Sequence, residues 1–370
     1  MPWVNGQILT GEGFQQGSIE FDEEGIKDIS KQKSKHPIAE GLVLPLFVNP
    51  HTHIGDSFIK EEVRGTMEEI VAPPEGLKHR LLEKASDKEI VNGMREAIAQ
   101  MRDSGISHFV DFREGGVKGV SLLYQAALGF ALTPVVYGRP LGMEYDRNEM
   151  EPLLRVVDGV GISSCLDWDP SVLEKIRADV KRLGKGFALH ASERVREDID
   201  TLLDLEPDFF VHMLEATDSD LERCADAGIP VVVCPRSSAF FGKIPDIERM
   251  LDKGVTVALG TDNVMFSSPS IFEEMRFIYR MSRHKGKLTS GSILRTALNS
   301  RKVLKGQSAL PLQIGQPSEF LVLEWSGGNP EYCVVMRASE RDISVIARNG
   351  RLWVRRKGSL KEESNWLRKP

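Results

Sequence analysis

The middle of the chain alternates short apolar runs with segments of helical periodicity or longer irregular connections. Eight such runs can be counted. They are residues 42–48, 106–111, 134–137, 159–162, 186–190, 209–212, 229–233 and 255–259. Continuous apolar runs of this length are typical of parallel strands that are covered on both faces. The pattern predicts an α/β fold in which residues 45–314 form a (β/α)8 barrel of the TIM-like kind.

A doubly wound open sheet is the other fold with this alternation. It would place a Gly-x-Gly-x-x-Gly turn after an early strand, and the sequence has no such turn. The barrel is therefore the preferred prediction.

Short strands and turn signals occur at both ends of the chain. Residues 17–21 and 319–323 have the composition of strands, and Asn349-Gly350 between two apolar runs is a hairpin signal. Because this pattern of short strands and turns is confined to the two ends, we predict a small β-sandwich domain built from residues 1–44 and 315–370.

The charge and composition exclude several classes of function. The net charge is -6, so no basic surface is expected for nucleic acid or an anionic membrane. The four cysteines have no Cys-x-x-Cys spacing, and the N-terminus lacks a basic segment followed by an apolar one. We expect a cytoplasmic protein that acts on a small molecule, with assembly into a homo-oligomer left open.

Five polar residues follow the apolar runs, where a barrel of this kind has its active site. His51 and His53 follow the first run, His190 ends the fifth, His212 ends the sixth, and Asp262 follows the eighth. Side chains at i and i+2 of an extended chain point to the same side, so the first two can meet one ion. Each residue alone has a structural explanation, such as helix capping by the aspartate. Together they predict a metal site.

An ordered set of motifs carries a resemblance that covers nearly the whole chain. The motifs are residues 48–53, residues 190–193, the segment from His212 through residues 227–237, and residues 251–262. This set resembles the amidohydrolase superfamily, and within it the branch of chlorohydrolases, cytosine deaminases and adenosine-type deaminases. The resemblance implies a (β/α)8 barrel with a small β-sandwich, and a divalent ion held by the counterparts of His51, His53, His190 and Asp262.

The resemblance also bears on how many ions are bound. Dinuclear relatives carry a bridging lysine at the end of the fourth strand, and residues 161–165 contain none. We therefore expect one divalent metal ion, with zinc first and iron or manganese as alternatives.

Glu193 decides the predicted reaction. The spacing His190-x-x-Glu193 resembles the deaminase branch, in which the glutamate shuttles protons to the ring nitrogen and the departing amine. Asp262 and His212 would orient a metal-bound hydroxide, and ammonia would leave a small nitrogen heterocycle such as a purine, pyrimidine, pterin or triazine. The competing explanation is a glutamate in the first turn of a helix.

Four charged residues are candidates for substrate contacts because they follow strands on the same side of the barrel. Arg113 and Glu114 follow the second run, Arg139 the third and Arg236 the seventh. Each could equally be a structural or surface charge. The irregular segment 56–87 is a candidate lid or pocket wall, because long loops in compact domains are often functional.

Two other functions remain open at this point. One is hydrolysis of a cyclic amide or displacement of a halide by the same kind of site. The other is a scaffold that has kept the fold and lost its chemistry, against which the four ligand candidates and Glu193 are evidence.

Overall fold

A computed structural model describes residues 1–284, 286–304, 312–356 and 358–363. Within those ranges the strands are β1 (Trp3–Thr10), β2 (Gly13–Phe21), β3 (Ile26–Ser30), β4 (Ala39–Pro45), β5 (Phe47–His53), β6 (Ile106–Arg113), β7 (Thr133–Gly138), β8 (Gly159–Ile162), β9 (Gly186–Ala191), β10 (Phe209–His212), β11 (Val231–Val233), β12 (Val257–Leu259), β13 (Asp262–Asn263), β14 (Phe320–Leu323), β15 (Ile343–Arg348), β16 (Arg351–Arg356) and β17 (Ser359–Glu362).

The helices of the same ranges are mostly short. They are α1 (Met67–Ile70), α2 (Leu77–Lys84), α3 (Asp87–Asp103), α4 (Gly116–Ala127), α5 (Arg147–Val156), α6 (Pro170–Arg182), α7 (Ile199–Asp204), α8 (Asp218–Asp226), α9 (Pro235–Phe240), α10 (Ile247–Asp252), α11 (Ile271–Ser282), α12 (Ser290–Asn299) and α13 (Pro330–Tyr332). None of them combines the length and the apolar character that a membrane span requires.

The chain divides into two compact units. One comprises Met1–Val48, Met101–Ser107 and Ile271–Pro370, and the other comprises Asn49–Gln100 and His108–Ser270. The predicted domain boundaries, residues 1–44 with 315–370 and residues 45–314, stay predictions. Residues 305–311, 357 and 364–370, which those boundaries include, lie outside the described residues.

Both ends of the chain contribute to one mixed sheet. Its strand order is β17-β16-β15-β14-β4-β1-β2-β3, in which β1 and β4 are parallel and β14 is antiparallel to β4. The rings of Phe21 and Phe320, one from each end of the chain, pack edge to face in its core at 4.8 Å. The structure thus confirms the predicted terminal sheet.

A close approach between β1 and β4 requires a glycine. Gly6 has φ +148°, and a Cβ placed there would lie 1.7 Å from the carbonyl oxygen of Gly41. Only a residue without a side chain fits this parallel pairing.

The parallel sheet of the second unit curls back on itself. Its order is β12-β11-β10-β9-β8-β7-β6-β5-β13. β13 begins three residues after β12 ends and pairs with β5 in parallel, with Asp262 opposite Thr52. The strand that follows the last apolar run therefore meets the strand of the first run, which confirms the predicted barrel with eight principal strands.

The barrel helices form where the sequence provides caps and an apolar stripe. In α6, the Asp169 carboxylate caps the helix by accepting a hydrogen bond from the Ser171 N–H, and Pro170 is the first helical residue. Leu173, Ile176 and Val180 recur at helical spacing and are buried.

The first apolar run is divided between two sheets. Residues 42–48 were expected to form one strand that delivers the paired histidines, but β4 ends at Pro45 in the terminal sheet and β5 begins at Phe47 in the barrel. Continuous apolarity could not reveal this division, because the residues on both sides of Leu46 are fully buried. His51 and His53 lie within β5 rather than after it.

Candidate metal centre and active site

Three histidines meet at the centre of the barrel. His51 and His53 occupy alternate positions of β5, so both side chains lie on the same side of the strand. His190 is the fifth residue of β9, and its ring centroid lies 4.9 Å from that of His51 and 5.4 Å from that of His53. The Nε2 atoms of His53 and His190 are 3.3 Å apart. All three side chains are buried.

His212 and Asp262 complete the group from two other strands. Oδ1 of Asp262 lies 3.4 Å from Nε2 of His51 and 3.6 Å from Nε2 of His53. The backbone of both residues is left-handed, with φ +78° at His212 and φ +60° at Asp262. This conformation is costly for residues with a side chain and is concentrated at functional sites. In this conformation the side chains of His212 and Asp262 lie close to the three histidines.

The donor atoms fit a divalent ion. Two overlapping sets, His51 with His53 and His190, and His51 with His212 and Asp262, each bring their donor atoms within 4.8 Å of one another. Neither ring nitrogen of His51 makes a hydrogen bond with any described residue, although the side chain is fully buried. A buried imidazole whose ring nitrogens make no hydrogen bond has a lone pair available for a metal ion. Imidazole nitrogens with a carboxylate oxygen are a zinc-type ligand set.

Burial also favours the protonation state that a metal requires. Removal from water lowers the pKa of His51, and it lowers the pKa of His53 to about 3. Both imidazoles are therefore neutral near pH 7 and can offer a lone pair.

Hydrogen bonds on the far side of two rings orient the donor nitrogens. Nδ1 of His190 lies 2.8 Å from the carbonyl oxygen of Ile162, and Nδ1 of His53 lies 3.1 Å from that of Phe112. Since a carbonyl can only accept, each Nδ1 carries the proton and each Nε2 is left with its lone pair.

Glu114 also contacts His53. Its Oε1 lies 2.9 Å from Nδ1 of His53 and 2.8 Å from Nζ of Lys78, and its Oε2 lies 2.5 Å from the guanidinium of Arg113. Burial would raise the pKa of Glu114, but Lys78, His53 and Arg113 together hold that pKa well below its usual range. Glu114 is thus a buried anion behind the candidate metal donors.

Lys78 was not among the residues predicted for the site. It lies in α2, within the segment 56–87 that was expected to be irregular, and it is buried. Its Nζ also reaches Oδ1 of Asn263, at 3.5 Å. Nothing in the sequence distinguishes it from the neighbouring lysine Lys84, since its role depends on contacts with residues 36 and 185 positions away.

Glu193 faces His212. Its Oε1 lies 3.3 Å from Nε2 of His212, and burial raises the pKa of Glu193. The next helix, α7, begins six residues later at Ile199, so Glu193 is not in the first turn of a helix. A carboxyl group with a raised pKa beside a histidine is a candidate for both giving and taking a proton.

Two neighbouring side chains hold the Asp262 carboxylate in place. The Ser237 hydroxyl donates to Oδ2 at 2.6 Å, and the Asn263 amide donates to Oδ1 at 2.9 Å. Burial would raise the pKa of Asp262, but His51, His212 and His53 hold it well below its usual range. The helix-capping explanation does not apply, because Asp262 lies in β13 and α11 begins only at Ile271. Sequence reasoning did not single out Ser237, although it ends the motif at residues 227–237.

The candidate site opens into one cavity of about 610 Å³, a volume that includes its open mouth. Segment 56–87 supplies part of its wall, including Met67, Val71 and Lys78. His53, His190, Glu193, His212, Asp262 and Arg139 also line it.

The other three predicted substrate contacts lie elsewhere. Arg113 and Glu114 lie behind the cavity and pair with each other. Arg236 donates hydrogen bonds to Ser268 and is not among the described residues that line this cavity.

The fold and the donor set define a barrel protein with a metal-type site at its strand ends. The sequence model of the amidohydrolase family matches residues 42–297 of the 370. The chain belongs to the amidohydrolase family, as the motifs predicted, and it is therefore a hydrolase.

Three relatives share most of their length with this chain. An uncharacterised protein of Methanocaldococcus jannaschii is 37% identical, over 82% of this chain and 84% of its own length. A putative aminohydrolase of Methanothermobacter thermautotrophicus is 30% identical, over 94% of this chain and 97% of its own length. A 5-methylthioadenosine/S-adenosylhomocysteine deaminase of Acetivibrio thermocellus is 23% identical, over 92% of this chain and 88% of its own length.

Solved structures share the fold at low sequence identity. An adenosine deaminase from Xanthomonas campestris with bound zinc has a TM-score of 0.79 and 14% identity, covering 99% of this chain and 95% of that one. Atrazine chlorohydrolase from Arthrobacter aurescens, complexed with zinc, has a TM-score of 0.76 and 15% identity, covering 96% of this chain and 95% of that one. These likenesses establish the architecture.

Proposed function

We propose that this hydrolase is an aminohydrolase that releases ammonia from a small nitrogen heterocycle, such as a purine, pyrimidine, pterin or triazine. The observation that carries the proposal is the position of Glu193, whose carboxyl group has a raised pKa and lies 3.3 Å from His212 beside the metal donors. The names of two relatives, an aminohydrolase and a deaminase, support the same reaction class.

His51, His53, His190 and Asp262 would hold one divalent ion, for which zinc is the first choice and iron or manganese the alternatives. A bound ion of this kind supplies Lewis acidity, which lowers the pKa of water towards about 7. The single-ion assignment rests on the end of β8, where Ser163, Ser164 and Cys165 follow Ile162 and no lysine is present.

The protein's own residues divide the proton transfers between them. Asp262 is ionised and is fixed by Ser237, so it can accept the proton of an attacking water molecule. His212 lies between the donor set and Glu193 and can orient that water. Glu193, whose pKa is raised by burial, can donate a proton to the ring nitrogen, recover protons released by the attacking water, and pass one to the departing amine.

The test is an ammonia-release assay on zinc-loaded protein with purines, pyrimidines, pterins and triazines, including amino- and chloro-substituted triazines. We expect ammonia from at least one compound and none with His190→Asn, which lacks a metal donor. Release of chloride without ammonia, or ring opening of a cyclic amide, would instead place the protein among the other hydrolytic activities of the family. No turnover on any compound by protein with a full metal complement would favour an inactive scaffold.

A further inference from the structure

Arg139 is a buried cation on the wall of the catalytic cavity. It follows the last residue of β7, is 6% exposed, and lines the same cavity as His53, His190 and Glu193. Its backbone N–H donates to the carbonyl oxygen of Arg113 at 2.9 Å, and its Nε donates to that of Gly161 at 3.4 Å. These contacts fix the start of the side chain and the edge of the guanidinium group.

Glu114 and Asp167 lie close enough to raise the pKa of Arg139, but neither pairs with it directly. Over the residues that the structure describes, it forms no ion pair within 4.0 Å. The acids around it already have partners. Glu114 pairs with Lys78 at 2.8 Å and with Arg113 at 2.5 Å, and Asp167 pairs with Arg194 at 2.7 Å.

A buried guanidinium group without an anion is costly, and burial lowers the pKa of Arg139. The cost is offset when an anion enters the cavity. The planar fork of N–H donors matches a carboxylate or a phosphate group, with two parallel hydrogen bonds. Lys78, on the same wall, is already paired with Glu114, and carboxylates also line the cavity, so the anion would be bound by the Arg139 guanidinium itself.

We infer that the substrate carries an anionic group, a carboxylate or a phosphate, which Arg139 binds while the reacting ring lies beside the metal donors. The inference rests on the proposed function for the identity of the reacting end. It adds a substrate class, namely acidic derivatives of the heterocycle, and it excludes the uncharged base as the preferred substrate.

The experiment measures binding, so it does not depend on ammonia release. Zinc-loaded protein is titrated calorimetrically with two matched pairs of probes, benzoate against benzamide and phenyl phosphate against phenol. The variants are Arg139→Met and Arg139→Lys. The control is Arg147→Met, which removes the same charge from an exposed side chain paired with Glu151 at the start of α5. Zinc content and circular dichroism report whether each variant is intact.

We expect wild-type protein to bind at least one anion about tenfold or more tightly than its neutral partner, since charge-assisted hydrogen bonds have that magnitude. The probe pair that shows the preference identifies the carboxylate or the phosphate. Arg139→Met should abolish the preference and leave the binding of benzamide and phenol unchanged, and Arg147→Met should retain it. If Arg139→Met does not fold, Arg139→Lys should weaken anion binding by about threefold to tenfold, because a lysine cannot form the paired bonds.

The inference is overturned if wild-type protein shows no preference for the anion in either probe pair. It is also overturned if the preference survives in Arg139→Met. Where that variant does not fold, a preference that persists at full strength in Arg139→Lys has the same consequence. Anion preference without ammonia release would uphold the binding site and overturn the deaminase proposal. Ammonia release from neutral heterocycles without anion preference would uphold the deaminase proposal and overturn the anion-binding site.

Discussion

Oε1 of Glu114 lies 2.9 Å from Nδ1 of His53, and the contact ties the residue after β6 to a candidate metal donor of β5. A carboxylate behind a ligating imidazole fixes the orientation of the ring and makes its other nitrogen a better donor. Lys78 and Arg113 keep Glu114 ionised, so the support for His53 is a buried charge cluster.

From this contact we predict that Glu114→Gln weakens zinc binding by about 10- to 100-fold, the usual effect of removing such a support. Competition with a chromogenic chelator measures the affinity. Glu62→Gln is the control, because Glu62 has a side chain that is 76% exposed and pairs only with Arg64 among the residues described. Equal zinc affinity in Glu114→Gln and wild type would show that Phe112 alone orients the ring.

The second prediction concerns the metal itself. The four-residue donor set predicts about one equivalent of zinc after dialysis, and His190→Asn should lose most of it because a directly ligating imidazole is removed. Chelation should lower the melting temperature of wild type, because an ion that binds only the folded state stabilises it. Elemental analysis and thermal unfolding measure the two effects. A stoichiometry near two, or no metal at all, would contradict the single-ion site.

The third prediction separates the proton shuttle from the ligands. Glu193→Gln keeps the size of the side chain but cannot carry a proton, so it should retain zinc and lose ammonia release by about 10²- to 10⁴-fold or more. The loss should reach the upper end because the group acts in more than one step. A variant that keeps more than about a tenth of wild-type turnover, well inside the expected loss, would remove Glu193 from the mechanism.

The fourth prediction concerns acid stability. Both Asp220 oxygens accept hydrogen bonds from Arg196 at 2.8 Å, and this lowers the pKa of Asp220 to about 2. Because the folded pKa lies below the unfolded one, the stabilisation is present above about pH 4 and is lost as the pH falls towards about 2. Asp220→Asn should therefore lower the free energy of unfolding by about 2 kcal/mol at pH 7, a value that allows for the half-exposed Arg196.

Urea unfolding at a series of pH values measures this difference. The wild type and Asp220→Asn should converge as the pH is lowered from about 4 to about 2, since both side chains are then uncharged. A difference that does not depend on pH would show that the effect does not come from the charge of Asp220.

Much of the barrel could be predicted because the signal lies within each strand. An apolar run and the polar residue that ends it are adjacent in the sequence, and parallel strands of one barrel end on the same side. That reasoning placed His190, His212 and Asp262 at or just after the ends of apolar runs; in the structure His212 ends β10, His190 is the last residue but one of β9, and Asp262 begins β13. It could not divide residues 42–48 between two sheets, because a fully buried strand has the same continuous apolar sequence in either sheet.

The pairing of the charges, in contrast, was decided by the tertiary structure. The sequence by itself predicted the candidate histidine and aspartate donors and their order along the chain. Only the folded chain brought Lys78 to Glu114 and placed Arg139 at the cavity wall without an ion pair among the described residues. The physical reason is that a charge acts on whatever lies within a few ångströms of it, and in this barrel those neighbours come from distant parts of the chain.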